Sequence, residues 1–147
     1  METNDKVVQW GNKGEALVFL HYFGGSARSW KWVTEQLSDN YRCFAINLPG
    51  FGGTTPLQKS TIQGHADFVQ RELKALGVDT YTLVGHSMGG KIAIQVAANA
   101  PKGTIKQLVL IAPSPPTTEP MPEDEKERML HHPKRSEAEK TVMTGVK

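Results

Sequence analysis

The sequence lacks the features that mark several protein classes. It holds one cysteine, Cys43, so no internal disulfide can form, and its place in an apolar run favours a core residue over a nucleophile. Its 17 Lys+Arg against 15 Asp+Glu leave a formal net charge of only +2. That balance gives no reason to expect a nucleic acid or an anionic membrane as partner. No apolar run approaches the length of a bilayer span, and the polar, acidic N-terminus is unlike a signal peptide. These absences favour a cytoplasmic protein without a membrane span.

Motifs for metals and nucleotides are also missing. No group of Cys, His or Asp residues has the spacing of metal ligands. The glycine pairs Gly24-Gly25 and Gly89-Gly90 lack the Lys-Ser/Thr that completes a phosphate-binding loop. The sequence therefore predicts neither a metal nor a cofactor.

Two regions of different composition make up the 147 residues, a length that suits one ordinary domain. In residues 1–112, short apolar runs alternate with helical patterns, whereas residues 113–147 are first rich in proline and then densely charged. We predict a compact core over residues 1–112 and a separate segment over residues 113–147.

The apolar runs of the core predict a parallel sheet. Four of them do not alternate with polar residues, so both of their faces should be covered by helices; they lie at residues 16–20, 43–46, 81–84 and 108–112. A shorter strand is expected at residues 7–10 and helices at residues 30–37, 61–76 and 88–100. The predicted fold class is α/β, with a doubly wound, mostly parallel sheet.

One motif carries chemistry: Gly-His-Ser-Met-Gly at residues 85–89, between a buried strand and a buried helix. It fits the Gly-x-Ser-x-Gly nucleophile elbow. A strand that runs straight into a helix needs a tight turn, with Ser87 in a strained conformation at its tip and glycines where side chains would clash. The turn exposes the Ser87 hydroxyl and leaves the N–H of Met88 at the start of a helix, where an anion is favoured. The alternative is a glycine-rich turn with an incidental serine.

A second motif, His-Tyr-Phe-Gly-Gly at residues 21–25, follows the first long strand. A loop that leaves the C-terminal end of a parallel strand lies at the same sheet edge as the elbow. A tetrahedral intermediate needs two N–H donors for its oxyanion, and we predict the backbone N–H groups of Phe23 and Met88. A plain glycine loop is the alternative.

With these motifs in this order, residues 7–112 resemble the N-terminal part of the α/β-hydrolase fold family, which also carries a segment like Asn-Leu-Pro-Gly-Phe-Gly at residues 47–52. The resemblance implies a cofactor-free serine hydrolase of the group that includes small esterases, haloperoxidase-like enzymes and carbon–carbon bond hydrolases. Ser87 would attack an ester-like carbonyl of a small molecule and form an acyl-enzyme. A serine at this position argues against the haloalkane dehalogenase and epoxide hydrolase branches. Residues 113–147 would begin the helical cap.

The sequence departs from the family pattern at two positions around these motifs. Tyr22 stands where the family usually has glycine, although Phe23 still offers its backbone donor. Asn47 stands where the family usually has aspartate, and an asparagine can still cap that turn by hydrogen bonding.

A third departure concerns the catalytic triad. In the family an acid and a histidine follow the cap, and no residue of this sequence matches either of them. The histidines that could substitute as base have other expected roles. We expect His21 to hold its own loop, His65 to lie at the boundary of a helix stripe and His86 to leave the turn in another direction, while His131 and His132 lie in the charged segment and could fold back over the site.

The last apolar run, at residues 108–112, has the pattern of an interior strand, yet no later segment has the pattern of a strand. We therefore expect the chain to be the N-terminal part of a longer hydrolase, or to expose a sheet edge through which it associates with a second copy. A catalytically inactive fragment, or a pseudoenzyme that acts as a binding module, is the alternative to an enzyme.

Overall fold

The computed structural model describes residues 2–3 and 6–113 of the chain. Within them, strands and helices alternate after an initial hairpin. The elements are β1 (Glu2–Thr3), β2 (Val7–Trp10), β3 (Glu15–Leu20), α1 (Lys31–Leu37), β4 (Tyr41–Ile46), α2 (Ile62–Ala75), β5 (Tyr81–His86), α3 (Met88–Asn99) and β6 (Ile105–Ile111), and a 3₁₀ turn over Ala27–Trp30 leads into α1.

All strands join one sheet in the order β1-β2-β4-β3-β5-β6. The neighbours from β4 through β3 and β5 to β6 run parallel, while β1 and β2 add an antiparallel edge. Helices connect the parallel strands, as parallel neighbours require. The predicted fold class, α/β with a mostly parallel sheet, is confirmed.

The core has two parts, one on each face of the sheet. Along β3, Val18 and Leu20 face the cluster that α2 and α3 cover, whereas Phe19 faces the cluster that contains Trp30 and Cys43. Successive strand residues point to opposite faces, so a strand buried on both faces reads as a continuous apolar run. Burial raises the pKa of Cys43 to about 11, in agreement with its predicted role as a core residue.

The helix over Ile62–Ala75 begins at Thr61, whose hydroxyl accepts a hydrogen bond from the N–H of Gly64 at 2.9 Å. The sequence pattern places Leu76 on the apolar stripe of this helix and His65 at the boundary of the stripe, and both expectations are wrong. Leu76 lies just beyond the helix with 40% of its surface exposed, and His65 is buried at 4% exposure. The helix therefore buries a broader face than the pattern indicates, because His65 and Phe68 are buried as well.

The last described strand, β6, has a neighbour on one side only among the residues that the structure describes, namely β5. Lys106, Gln107 and Leu108 are exposed, so the expectation that both faces of this run are covered is wrong at Leu108. His131, His132 and all of the predicted cap segment except Pro113 lie outside the described residues. No helix within the described ranges is long and apolar enough to cross a membrane.

Candidate active site

The junction of β5 and α3 places Ser87 at its tip. Ser87 has φ 55° and ψ −114°, a backbone conformation that residues other than glycine rarely adopt. Its N–H donates to the carbonyl of Ile111 at 3.0 Å, and its own carbonyl accepts from Gly90 at 2.9 Å. These contacts hold a conformation that costs of order 1–3 kcal/mol, as the elbow motif predicts.

Two glycines make this junction possible because backbone occupies the space that a side chain would need. A Cβ on Gly85 would lie 2.5 Å from the carbonyl oxygen of Gly89. A Cβ on Gly89 would lie 2.3 Å from the carbonyl oxygen of Leu20, at the end of β3. The first turn of α3 therefore rests directly on the loop that leaves β3, which brings the elbow and residues 21–25 together.

Two polar groups of the elbow are unpaired within the described part of the chain. Ser87 precedes α3, but its side chain makes no capping hydrogen bond. Among residues 6–113, neither the Ser87 hydroxyl nor the N–H of Met88 has a hydrogen-bond partner. A hydroxyl beside an unpaired helix N–H is the arrangement in which an attacking oxygen and an oxyanion can lie close together.

The loop after β3 forms a tight turn. The N–H of Gly25 donates to the carbonyl of Tyr22 at 2.9 Å, and Gly24 takes a positive φ of 86°, which suits glycine at the third position of a type II turn. Phe23 occupies the second position, and its N–H has no acceptor within residues 6–113. The structure thus brings the predicted Phe23 donor to the sheet edge where Ser87 and Met88 lie.

His21 ties this loop to its neighbour. Its side chain is fully buried; Nε2 accepts the N–H of Leu48 at 3.0 Å, and Nδ1 lies 2.8 Å from the carbonyl of Tyr22. Since Nε2 accepts, the ring proton resides on Nδ1, which donates to Tyr22. Desolvation by burial lowers the pKa of His21 and favours this neutral form. The expected role of His21, holding its own loop, thus extends to the loop after β4.

Asn47 makes a second connection between the same two regions. Its Oδ1 accepts a hydrogen bond from the N–H of Ala27 at 2.7 Å. The turn that follows is braced by Thr54, whose hydroxyl lies 2.7 Å from the carbonyl oxygen of Phe51 and 2.9 Å from that of Leu48, and accepts from the N–H of Gly50 at 3.1 Å. Sequence reasoning missed Thr54, because nothing in a lone threonine indicates which backbone groups it will reach.

No histidine among residues 6–113 is hydrogen-bonded to Ser87. His65 contacts Ser60, with 3.1 Å between Nε2 and Oγ, while the ring of His86 lies against Tyr22 at a centroid distance of 5.4 Å. Burial lowers the pKa of both imidazoles. In the described part of the chain, no group of three or more His, Cys, Asp or Glu residues is placed to hold a metal ion.

Comparison with known proteins gives a consistent picture. A family profile described as alpha/beta hydrolase fold matches residues 15–137. The dihydrolipoyllysine-residue acetyltransferase component of the acetoin cleaving system of Cupriavidus necator is 36% identical over 110 residues, which cover 72% of this chain and 29% of that protein. The 2-succinyl-6-hydroxy-2,4-cyclohexadiene-1-carboxylate synthase of Citrobacter koseri is 36% identical over 87 residues, or 59% of this chain and 34% of that protein.

Solved structures show the same likeness. A membrane phospholipase A, described as a bacterial virulence factor, superposes with a TM-score of 0.70 and 30% identity over 83% of this chain and 41% of that chain. The matches with the two curated relatives thus span about a third of the length of each of those proteins.

Proposed function

The chain belongs to the α/β-hydrolase fold family, and from that premise we propose that it acts as a serine hydrolase on an ester-like carbonyl of a small molecule. The observation that carries the proposal is the strained backbone of Ser87 at the strand–helix junction. It is supported by the N–H groups of Met88 and of Phe23, in the loop after β3, neither of which has an acceptor among residues 6–113. Strain at a functional site persists only where the surrounding structure enforces it. Here β6 does so through the carbonyl of Ile111, and α3 does so through the N–H of Gly90.

In the proposed reaction the Ser87 Oγ attacks the carbonyl carbon while a general base takes the hydroxyl proton. The carbonyl oxygen becomes an oxyanion, which accepts hydrogen bonds from the N–H groups of Phe23 and Met88. The bond to the alcohol then breaks, the base returns the proton to the departing oxygen, and an acyl-enzyme remains. Water, deprotonated by the same base, hydrolyses that ester and restores Ser87.

The proposal needs a base that residues 6–113 do not place on Ser87. Without one, a serine hydroxyl is a weak nucleophile at neutral pH. His131 and His132 are the candidates that this chain offers outside the described residues. The test of this function therefore uses variants of these two histidines as well as of Ser87.

Hydrolysis of p-nitrophenyl butyrate by the 147-residue chain tests the proposal. Ser87→Ala should abolish turnover, whereas the matched Ser38→Ala should not, because the Ser38 hydroxyl contacts only the carbonyl of Glu35 on the exposed end of α1. Loss of turnover in the His131→Ala/His132→Ala double variant would identify the base. Equal rates in the wild type and Ser87→Ala, including no turnover in either, would contradict the proposal for this chain.

A second candidate is an inactive binding module that associates with a second copy through β6. The observation in its favour is the exposure of Leu108, with 38% of its surface accessible on a strand that pairs with β5 alone among the described residues. An unprotected strand edge promotes pairing with another chain. A dimer in size-exclusion chromatography that Leu108→Lys dissociates would support this reading, and a monomer at all concentrations would exclude it.

A further inference from the structure

Two exposed aromatic residues follow one another in the loop after β3, the strand whose last residue pairs with Gly85 of the elbow. Tyr22 is 42% exposed and Phe23 is 39% exposed. Large exposed apolar groups beside a candidate active site mark a surface that a ligand can cover. Both residues belong to the tight turn that carries the Phe23 N–H, which the proposed function assigns to the oxyanion.

Each exposed ring is held edge-on by a deeper one. Phe23 contacts Phe51 with 5.3 Å between centroids and 77° between planes, and Phe51 in turn lies against the buried His21. On the other side, Tyr22 meets His86 at 5.4 Å and 67°. Such edge-to-face contacts are favourable, and they fix the rings before any ligand arrives.

His86 links the Tyr22 ring to the elbow. His86 directly precedes Ser87, and its ring lies 6.5 Å from that of the buried Trp30. Leu20 pairs with Gly85 across β3 and β5, so the first residues of the loop lie beside the elbow. Tyr22 therefore contacts the residue that directly precedes Ser87.

Three segments at this edge, residues 21–25, 47–57 and 85–90, contain no Asp, Glu, Lys or Arg. A charged acyl group would find no partner of opposite charge within these segments, whereas a neutral ring would cover the exposed faces of Tyr22 and Phe23. The surface formed by Tyr22, Phe23 and these uncharged segments thus favours a neutral, flat, apolar group.

Resting on the proposed function, we propose that Tyr22 and Phe23 are specificity-determining residues that select substrates whose acyl group carries a neutral aromatic ring. The ring of the substrate packs against both side chains while its carbonyl oxygen faces the N–H of Phe23. The Tyr22 side chain adds an aromatic ring at a position where the family usually has glycine, which has no side chain.

The kinetic test compares p-nitrophenyl phenylacetate with p-nitrophenyl butyrate, which differ only in the acyl group. The wild type should prefer the aryl ester, and Tyr22→Ala or Phe23→Ala should lower the ratio of the two kcat/KM values roughly tenfold each. Tyr22→Phe keeps the ring and should keep the ratio. Trp32→Ala is the matched control, because Trp32 is 79% exposed on α1 and lies outside the site, so its removal should leave the ratio unchanged.

A binding test separates this inference from the proposed function. The Ser87→Ala variant is titrated with phenylacetamide and with butyramide, which are neutral amides of the two acyl groups, and chemical shifts are followed by NMR. Tighter binding of phenylacetamide, weakened by Tyr22→Ala but not by Trp32→Ala, supports the inference even if the wild type turns nothing over. Turnover without aryl preference, or equal binding of the two amides, overturns the inference and leaves the nucleophile proposal standing.

Discussion

Replacing His21 by phenylalanine tests whether one buried side chain holds the two loops of the site together. The change keeps an aromatic ring of similar size but removes both ring nitrogens. Leu48 is fully buried, and its N–H donates to Nε2 at 3.0 Å. The substitution removes this acceptor. The carbonyl of Tyr22 remains satisfied, because it also accepts from Gly25 at 2.9 Å. The cost therefore falls mainly on Leu48.

A buried N–H left without a partner costs about 1–3 kcal/mol. His65→Phe is the matched control, since His65 is also buried, but among the described residues its Nδ1 has no partner and its Nε2 bonds the exposed Ser60. We expect His21→Phe to lower the free energy of unfolding by roughly 2 kcal/mol more than His65→Phe. Urea denaturation at pH 7.5, with the slope checked for constancy, measures the difference.

The pH dependence gives a second readout. Burial holds the pKa of His21 below its ordinary value of 6.5, so the unfolded chain takes up the proton first as pH falls. The contribution of His21 to the free energy of unfolding is complete above about pH 6.5. It is lost as pH falls from there towards the pKa of His21 in the folded chain. His21→Phe should flatten this part of the stability profile, with His65 and His86 supplying what slope remains. If His21→Phe proves as stable as His65→Phe and keeps the full slope, the reasoning about the Leu48 contact is refuted.

Three further predictions concern packing and charge elsewhere in the chain. Gly85→Ala should lower the free energy of unfolding by more than about 3 kcal/mol, because the new Cβ meets only backbone atoms. Gly103→Ala should lower it by about 1–2 kcal/mol, because the space is open but φ is 89°. Equal midpoints in urea would contradict this. Cys43 should react with a thiol-specific disulfide reagent at pH 8 only when the chain is unfolded, since its pKa is raised to about 11 and it is buried; fast labelling of the native protein would contradict it. Glu15→Gln should change stability by less than about 1 kcal/mol despite the 2.9 Å contact with Lys106, because both side chains are at least half exposed, and a larger loss in thermal unfolding would contradict it.

The local signals in the sequence were sufficient for the elements that position the site. Continuous apolar runs predicted β3, β4 and β5, since strands buried on both faces have no polar alternation, and the run of β6 predicted a strand although Leu108 is exposed. The spacing of Gly85, Ser87 and Gly89 predicted the strained turn between β5 and α3. The contact that excludes a side chain at Gly85 lies within that turn, whereas the one at Gly89 comes from Leu20 in β3.

The tertiary structure alone decided which distant groups meet. Leu48 lies 27 residues from His21 and Asn47 lies 20 from Ala27, and neither partner can be read from spacing. The contact of Phe23 with Phe51 likewise depends on β3 and β4 being neighbours in the sheet.

The sequence by itself determined the α/β class and the elbow at Ser87, because periodicity and the spacing of glycines around a serine are properties of short segments. Only the tertiary structure decided that His65 is buried, that Leu76 is exposed and that two rings line the edge beside the elbow. Burial and contact between distant segments depend on the packing of whole elements, whose relative positions the order of strands in the sheet sets.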